Sequence, residues 1–214
     1  MAHETHYSDD YFKWQGNIGR FGGWANLHKF IYYIKPEYNI IDFGCGGGFL
    51  LNNIKCNGKI GVEINETARK NAMDLGINTV ISAEEIEDNW ADLIISNHAL
   101  EHTKNPLEVL RILHKKLKKG GSIVFVVPCE TIKSKYYPGD INCHLFSWGP
   151  MCLGNLFTEA GFKVYESKTY IHKWPKNYEK VAKWFGRRGF NMICMLNARY
   201  KRDGYQVKVI AKKE

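Results

Sequence analysis

The fold is decided by the stretch Ile40-Ile41-Asp42-Phe43-Gly44-Cys45-Gly46-Gly47-Gly48, which predicts a short buried strand that turns through glycines into a helix. Such a turn leaves backbone N–H groups at a helix N-terminus, close to a ligand that lies across the strand ends. A dinucleotide-binding turn needs the spacing G-x-G-x-x-G, but Phe49 occupies its third glycine position. The spacing here is acid-x-G-x-G-x-G, and it begins at Asp42.

The segments that follow this turn predict alternating strands and helices. Residues 59–63 form a strand pattern that ends on Glu63, 21 residues after Asp42, where a carboxylate can accept hydrogen bonds from two ribose hydroxyls. Residues 92–98 predict another apolar strand with a polar tip. A helical pattern over 107–117 is followed by Lys118-Lys119-Gly120-Gly121, which predicts a helix cap, and by a strand over 122–127.

Two further motifs belong to the same pattern as the glycine turn. These are Asn97-His98-Ala99-Leu100-Glu101-His102, after the strand, and Lys118-Lys119-Gly120-Gly121, before the next one. Together with the turn they resemble the class I S-adenosylmethionine-dependent methyltransferases over residues 38–129. The resemblance implies a three-layer, doubly wound, Rossmann-like α/β fold with a seven-stranded sheet whose last strand is antiparallel.

The same resemblance implies S-adenosylmethionine as cofactor and S-adenosylhomocysteine as product. Glu63 would hold the ribose, Ala83 would lie near the adenine, and Asn97 and His98 would face the methionine portion. Gln15 would reach the cofactor from an N-terminal lid. The expected cofactor-binding residues are Asp42, Phe43, Gly44, Cys45, Gly46, Glu63, Ile64, Ala83, Asn97 and Gln15.

Three histidines are candidate general bases, because transfer to an alcohol requires removal of its proton near neutral pH. His98 and His102 come at and just after the end of the strand pattern over 92–98, and His144 lies in the predicted long loop over 129–148. The expected substrate residues are Trp14, Tyr136, Asp140 and Trp148. Residues 98–102 also spell H-x-x-E-H, a zinc-protease signature. No complete metal-ligand set is evident, so we assign no metal ligand and expect no divalent metal to be required.

The chain is organised as an N-terminal lid and first helix, residues 1–36, followed by a methyltransferase domain over 37–214. The lid is aromatic and glycine-rich over residues 7–23, and the first helix is expected over 24–34. The domain contains a long loop, 129–148, of a length that is usually functional, and a helical insertion over 175–202.

The charge and the cysteine content bear on the expected binding partners and on the expected cellular compartment. The net charge is +8, and residues 163–214 alone carry 14 basic and 4 acidic side chains, a net of +10. This basic third could bind RNA or simply be a solvated surface. Six cysteines without a C-x-x-C pair, no signal peptide and no membrane span predict a cytoplasmic protein. The oligomeric state is not predicted.

The leading functional hypothesis is O-methylation of a sugar hydroxyl in a glycan or nucleotide sugar, with a histidine as base. It depends on a looser resemblance of residues 140–148 and 153–157 to methyltransferases of glycan and polysaccharide assembly. One alternative is an RNA methyltransferase that uses the basic C-terminal third. Another is a cofactor-binding protein without catalysis.

Overall fold

A computed structural model describes residues 9–131, 134–138, 140 and 142–214, with side chains from residue 18 onward. Within them, seven strands form one sheet in the order β3-β2-β1-β4-β5-β7-β6. The strands are β1 (Asn39–Phe43), β2 (Gly58–Val62), β3 (Asn78–Val80), β4 (Ala91–Asn97), β5 (Leu117–Pro128), β6 (Lys163–Ile171) and β7 (Tyr205–Lys212). The strand β7 pairs antiparallel with both β5 and β6, while β1 to β5 pair in parallel. The predicted sheet, with its antiparallel last strand, is confirmed.

Six α-helices flank the sheet in the described part of the chain. They are α1 (Asp9–Asn26), α2 (Phe49–Asn52), α3 (Glu66–Asp74), α4 (Pro106–Lys116), α5 (Pro150–Glu159) and α6 (Tyr178–Lys201). Adjacent residues of β1 enter different hydrophobic clusters: Ile41 packs with α4 and α5, and Ile40 packs with Leu51 of α2. Because neighbouring strand residues point to opposite faces, both faces of the sheet are covered, as the three-layer prediction requires.

The first helix differs from the expectation for residues 24–34. The helix α1 begins at Asp9 and ends at Asn26, and two short 3-10 turns, Leu27–Lys29 and Ile31–Tyr33, follow it. Its glycines allow close packing: a Cβ added at Gly23 would lie 2.3 Å from the carbonyl oxygen of Phe49. The predicted lid segment and the first helix therefore share one helix. The division of the chain near residue 36 stays a prediction.

The predicted helix cap at residues 118–121 is wrong. The helix α4 ends at Lys116, and Leu117 already has extended backbone angles. The strand β5 begins at Leu117, which pairs with Ala91 of β4, and the Gly120 N–H donates to the carbonyl of Lys213 at 2.7 Å. Residues 118–121 form an irregularity in β5 between the paired residues Leu117 and Ser122, and Gly120 has the left-handed φ of +77° that the cap prediction gave to a glycine.

The predicted insertion is a bent helix. The helix α6 is broken at Gly186, whose φ of +61° and ψ of −176° are not helical, so two helical segments meet there. Its inner face packs on α1 through Phe190, Cys194, Phe21 and Trp24. Between Cys129 and Gly149 the described residues contain no helix or strand, which agrees with the predicted long loop. No helix among the residues described has the length and apolarity needed to cross a bilayer.

Candidate active site

A cavity of about 1020 Å³ opens at the carboxyl ends of β1, β2 and β4. This is the edge at which doubly wound sheets bind ligands. Its floor is the glycine turn after β1, and α1 forms one wall through Ile18, Gly19 and Gly22. All of the predicted cofactor residues with described side chains line it: Asp42, Phe43, Gly44, Cys45, Gly46, Glu63, Ile64, Ala83 and Asn97. The side chain of Gln15 lies outside the described residues.

The glycine turn after β1 packs closely against the loop that follows β4. Gly44 has a φ of +74°, and a Cβ added there would lie 2.2 Å from the Cβ of Ala99. Only glycine combines this backbone angle with so close an approach. Contrary to expectation, the N–H groups of the turn bond largely within the protein: those of Gly44 and Cys45 donate to Val62, and that of Gly48 donates to Cys45. The turn therefore contributes shape more than free donors.

Glu63 is tied to the turn that it faces. Its Oε2 accepts from the Gly46 N–H at 2.9 Å, and its Oε1 accepts from the Asn65 N–H at 2.8 Å. Burial raises the pKa of Glu63, while these backbone bonds oppose the rise. Each carboxylate oxygen keeps a further lone pair, so Glu63 fits the predicted ribose. Burial, with Glu63 nearby, also raises the pKa of Asp42 well above its usual value.

The predicted adenine end of the cavity contains a capped 3-10 turn, Ala83–Glu85. The Ser82 side chain accepts from the Glu84 N–H, and the Glu85 side chain accepts from the Ser82 N–H at 2.8 Å. Ala83 is buried beside the cavity, and Ile64, which follows the end of β2, is an exposed lining residue. These residues fit a flat apolar ring at this end of the cavity.

A buried lysine, which was not predicted from the sequence, lies at the end of the cavity that Asn97 and His98 form. Lys29 is 3% exposed, and its Nζ donates to Asn97 Oδ1 at 2.7 Å and to Gln206 Oε1 at 2.9 Å. Burial lowers the pKa of Lys29 to about 7, although Glu101 opposes this. The same Gln206 oxygen lies 3.2 Å from His98 Nε2, so His98 donates that hydrogen bond. Lys29 and Gln206 therefore connect Asn97 and His98, two residues predicted to face the cofactor.

The backbone of His98 is itself unusual. Its φ is +60°, in the left-handed region that residues other than glycine seldom occupy. Its N–H donates to Val126 of β5 at 2.8 Å, which holds this conformation at the end of β4. Strained backbone of this kind concentrates at functional sites.

Glu101 lies between two of the predicted bases. It is fully buried, and neither carboxylate oxygen has a hydrogen-bond partner among the described residues. Its Oε1 is 3.5 Å from His98 Nδ1 and 3.8 Å from His102 Nε2. Its main-chain carbonyl accepts from Leu145 and Phe146, which ties the long loop to the site.

His102, which follows β4, lies next to His144 of the long loop. Their ring centroids are 5.1 Å apart, and His102 lines the cavity, whereas His144 is not among its lining residues. Burial lowers the pKa of His102, and Glu101 opposes the change. Ligand atoms of Glu101, His102 and His144 lie within 4.8 Å of one another, close enough to share a metal ion. His98 is not in this group, so the two histidines of H-x-x-E-H do not converge as zinc ligands.

The predicted substrate residues are not gathered around the cavity. Trp148 is buried and stacks on Phe146 at 5.3 Å between centroids, within the sheet core. Tyr136 is exposed on the loop, and Asp140 accepts a hydrogen bond from Tyr137 at 3.1 Å. The side chain of Trp14 lies outside the described residues. The apolar side chains that line the cavity instead include Phe49, Trp174, Val109 and Ile112; the helix that carries the last two packs on the 3-10 turn Ala83–Glu85.

Comparisons with known proteins agree with this geometry. A family model described as a methyltransferase domain matches residues 13–167. The ubiquinone biosynthesis O-methyltransferase of Vibrio vulnificus strain YJ016 is 32% identical over 107 residues, which cover 44% of this chain and 46% of that protein. The chain spans about half the length of the curated relatives it matches.

Solved structures share the fold over nearly the whole chain. A SAM-dependent methyltransferase from Thermotoga maritima has a TM-score of 0.68 at 17% identity, and the similarity covers 98% of each chain. A SAM-dependent methyltransferase from Archaeoglobus fulgidus has a TM-score of 0.66 at 24% identity, covering 96% of this chain and all of that one. The family match, the fold and the cavity agree: the chain belongs to the methyltransferase-domain family and has the fold of class I S-adenosylmethionine-dependent methyltransferases.

Proposed function

We propose that the chain methylates a hydroxyl oxygen of a small molecule and that His102 is the general base. The observation that carries the proposal is that His102 lines the same cavity as Glu63 and Asn97, beside the buried carboxylate of Glu101. Burial keeps the pKa of His102 below its usual value. The ring is then neutral near pH 7 and able to accept a proton.

Bound S-adenosylmethionine supplies an electrophilic methyl group, and the residues of the chain orient the acceptor and remove its proton. Alignment of the acceptor oxygen is the main contribution expected of the cavity. As His102 takes the proton it becomes an imidazolium, which the adjacent Glu101 carboxylate stabilises, as an acid behind a histidine does in hydrolases. His98 and His144 would position these groups.

We propose a ring-borne hydroxyl as the acceptor, with a sugar hydroxyl as the first class to test. Phe49 and Trp174 line the cavity with apolar rings that suit the face of a sugar or of an aryl ring. An aryl hydroxyl is the other acceptor class, because the Vibrio relative is named as an O-methyltransferase of ubiquinone biosynthesis.

The test uses methyl-labelled S-adenosylmethionine with separate pools of nucleotide sugars, oligosaccharides, phenols and total RNA. Label in a sugar or phenol pool supports O-methylation. Label in RNA alone would instead support the alternative acceptor class. Label in no pool, with cofactor binding intact by calorimetry, would contradict the proposed acceptors.

Variants of the three histidines test the assignment of the base. His102→Asn should lower kcat by about 100-fold or more, the usual contribution of a general base, while the Kd for the cofactor stays nearly unchanged. His144→Asn should have a smaller effect, because His144 does not line the cavity. A larger loss in His144→Asn than in His102→Asn would show that the base is assigned wrongly.

A further inference from the structure

The helix α6 exposes an apolar surface on the side away from its packing face. Its buried residues, Phe190, Cys194 and Ala198, recur at four-residue intervals. On the opposite side, Met192, Met195, Leu196 and Tyr200 are each more than half exposed. A helix packed on one side normally presents polar residues to solvent on the other. We call the exposed side the outer face of α6; it comprises Arg188, Met192, Met195, Leu196, Arg199 and Tyr200.

The charge around the outer face has one sign. No acidic residue occurs between positions 180 and 202, and seven basic residues do. One of them, Arg187, lies with its guanidinium carbon 5.1 Å from the Trp24 ring centre. The other six are exposed: Lys180, Lys183, Arg188, Arg199, Lys201 and Arg202.

We propose that the outer face of α6 docks on the surface of an anionic lipid bilayer. Helices that lie in a membrane interface combine an apolar side with a rim of lysine and arginine. The apolar side chains enter the acyl boundary, and arginine side chains keep their charges at the headgroups. Each cation near the surface gains from the negative potential of anionic lipids. The outer face supplies both contributions within four helical turns.

The composition of the outer face favours lipid over nucleic acid. Single-stranded nucleic acids bind to flat aromatic side chains on which bases stack. The centre of this face is instead made of Met192, Met195 and Leu196, which are flexible and not planar. Trp184 and Phe185 are exposed just before the bend at Gly186, where interfacial helices commonly carry aromatic residues.

Docking there would place the bilayer one helix away from the cavity. The inner face of α6 packs on α1 through Phe190 and Phe21, whose rings are 5.4 Å apart. The helix α1 in turn forms a wall of the cavity through Gly19 and Gly22. The inference concerns where the enzyme works and does not depend on the identity of its acceptor.

The test is co-sedimentation of the full chain with two kinds of vesicle, phosphatidylcholine alone and phosphatidylcholine mixed with phosphatidylglycerol. We expect binding to the mixed vesicles that weakens with added salt. The triple variant Met192→Gln, Met195→Gln, Leu196→Gln should reduce partitioning by about tenfold or more, because it removes most of the apolar area of the face. Arg188→Gln with Arg199→Gln should also weaken it.

Matched controls separate the outer face from general effects. Met73→Gln with Met151→Gln changes two exposed methionines on other helices, and Lys55→Gln with Lys119→Gln removes two exposed cations elsewhere. Both controls should bind vesicles like the wild type. Equal circular-dichroism melting points confirm that all variants fold. Absence of binding to mixed vesicles, unchanged binding of the triple variant, or RNA retention that depends on Arg188 and Arg199 without vesicle binding would each overturn the proposal.

Discussion

Lys29 Nζ lies 2.7 Å from Asn97 Oδ1, although the two residues are 68 positions apart in the chain. The lysine leaves the 3-10 turn after α1, and the asparagine closes β4. A buried amine donating to a side-chain amide fixes the direction of that amide. Asn97 itself lines the cavity. The N-terminal part of the chain thus reaches the cavity in two ways, through the wall that α1 forms and through the hydrogen bond from the 3-10 turn that follows it.

Lys29→Met should weaken cofactor binding. The substitution keeps the length and apolar volume of the side chain but removes the donor shared by Asn97 and Gln206. Hydrogen bonds from charged groups contribute about 1.5–3 kcal/mol, so we expect the Kd for S-adenosylmethionine to rise roughly tenfold or more by calorimetry.

The control for this prediction is Lys208→Met. Lys208 is also partly buried, and its Nζ donates to the main-chain carbonyl of Lys29 at 3.3 Å, but it does not line the cavity. Its removal should leave the Kd within about twofold. Equal Kd values for wild type and Lys29→Met would show that Asn97 needs no support from the lysine.

Gly23→Ala and Gly22→Ala should have opposite effects although the residues are adjacent in α1. Alanine favours a helix by about 1 kcal/mol over glycine, and at Gly22 the new methyl would make ordinary contacts with Trp174 at 3.7 Å and Asn26 at 3.9 Å. At Gly23 it would lie 2.3 Å from the Phe49 carbonyl. Thermal unfolding should therefore show a stabilised Gly22→Ala variant. Gly23→Ala should melt earlier and bind cofactor more weakly, because α1 must move off the glycine turn.

The parts of the site that the sequence predicted are those that lie next to each other along it. Asp42, Gly44 and Gly46 share one turn, and Asn97 and His98 follow directly from a strand whose apolar run is evident. The contact between Lys29 and Gln206 could not be predicted, because the two residues are 177 positions apart in the sequence and belong to no motif. The local sequence, Leu27-His28-Lys29-Phe30, does not mark Lys29 as buried.

The fold was misjudged where local preference and long-range pairing conflict. Glycines at 19, 22 and 23 lower helix propensity, so the start of α1 was not recognised; packing on Phe49 and α6 stabilises it instead. Likewise Lys118 to Gly121 have the composition of a helix cap, but Leu117 already pairs with β4, so these residues form an irregularity inside β5, where the Gly120 N–H donates to the carbonyl of Lys213. Neither partner could be known from the segment itself.

Glu101→Gln should lower kcat while leaving the Kd for the cofactor close to that of the wild type. The amide keeps the shape of the side chain but removes the charge that raises the pKa of His102 against burial. An imidazolium formed during transfer would lose its stabilising partner, and we expect a fall in kcat of about 10–100-fold. The acid limb of the pH–rate profile should move to lower pH. An unshifted pH–rate profile would show that Glu101 does not act on the general base. As a control, Glu108→Gln, which changes an exposed acid of α4, should behave as the wild type.

The stability of the fold should decrease in mild acid because two histidines, the half-buried His28 and the buried His172, resist protonation. His28 and His172 lie 4.7 Å apart between ring centroids, and Tyr170 and Asn191 bond their Nε2 atoms. Burial is the main cause that lowers the pKa of His28 to about 3 and of His172 to about 4; nearby Lys29 and Lys208 add to the effect on His28, and Lys29 to that on His172.

Since both folded-state values lie below the unfolded value of about 6.5, the unfolded chain binds more protons throughout this interval. Their contribution is complete above pH 6.5 and is lost as pH falls toward 4 and 3. At pH 5 the two groups together should reduce the free energy of unfolding by roughly 4 kcal/mol. Urea titrations of wild type and of His28→Gln with His172→Gln should run parallel above pH 7. Below pH 6.5 the double variant should lose less stability, and parallel curves there would contradict burial of neutral histidines.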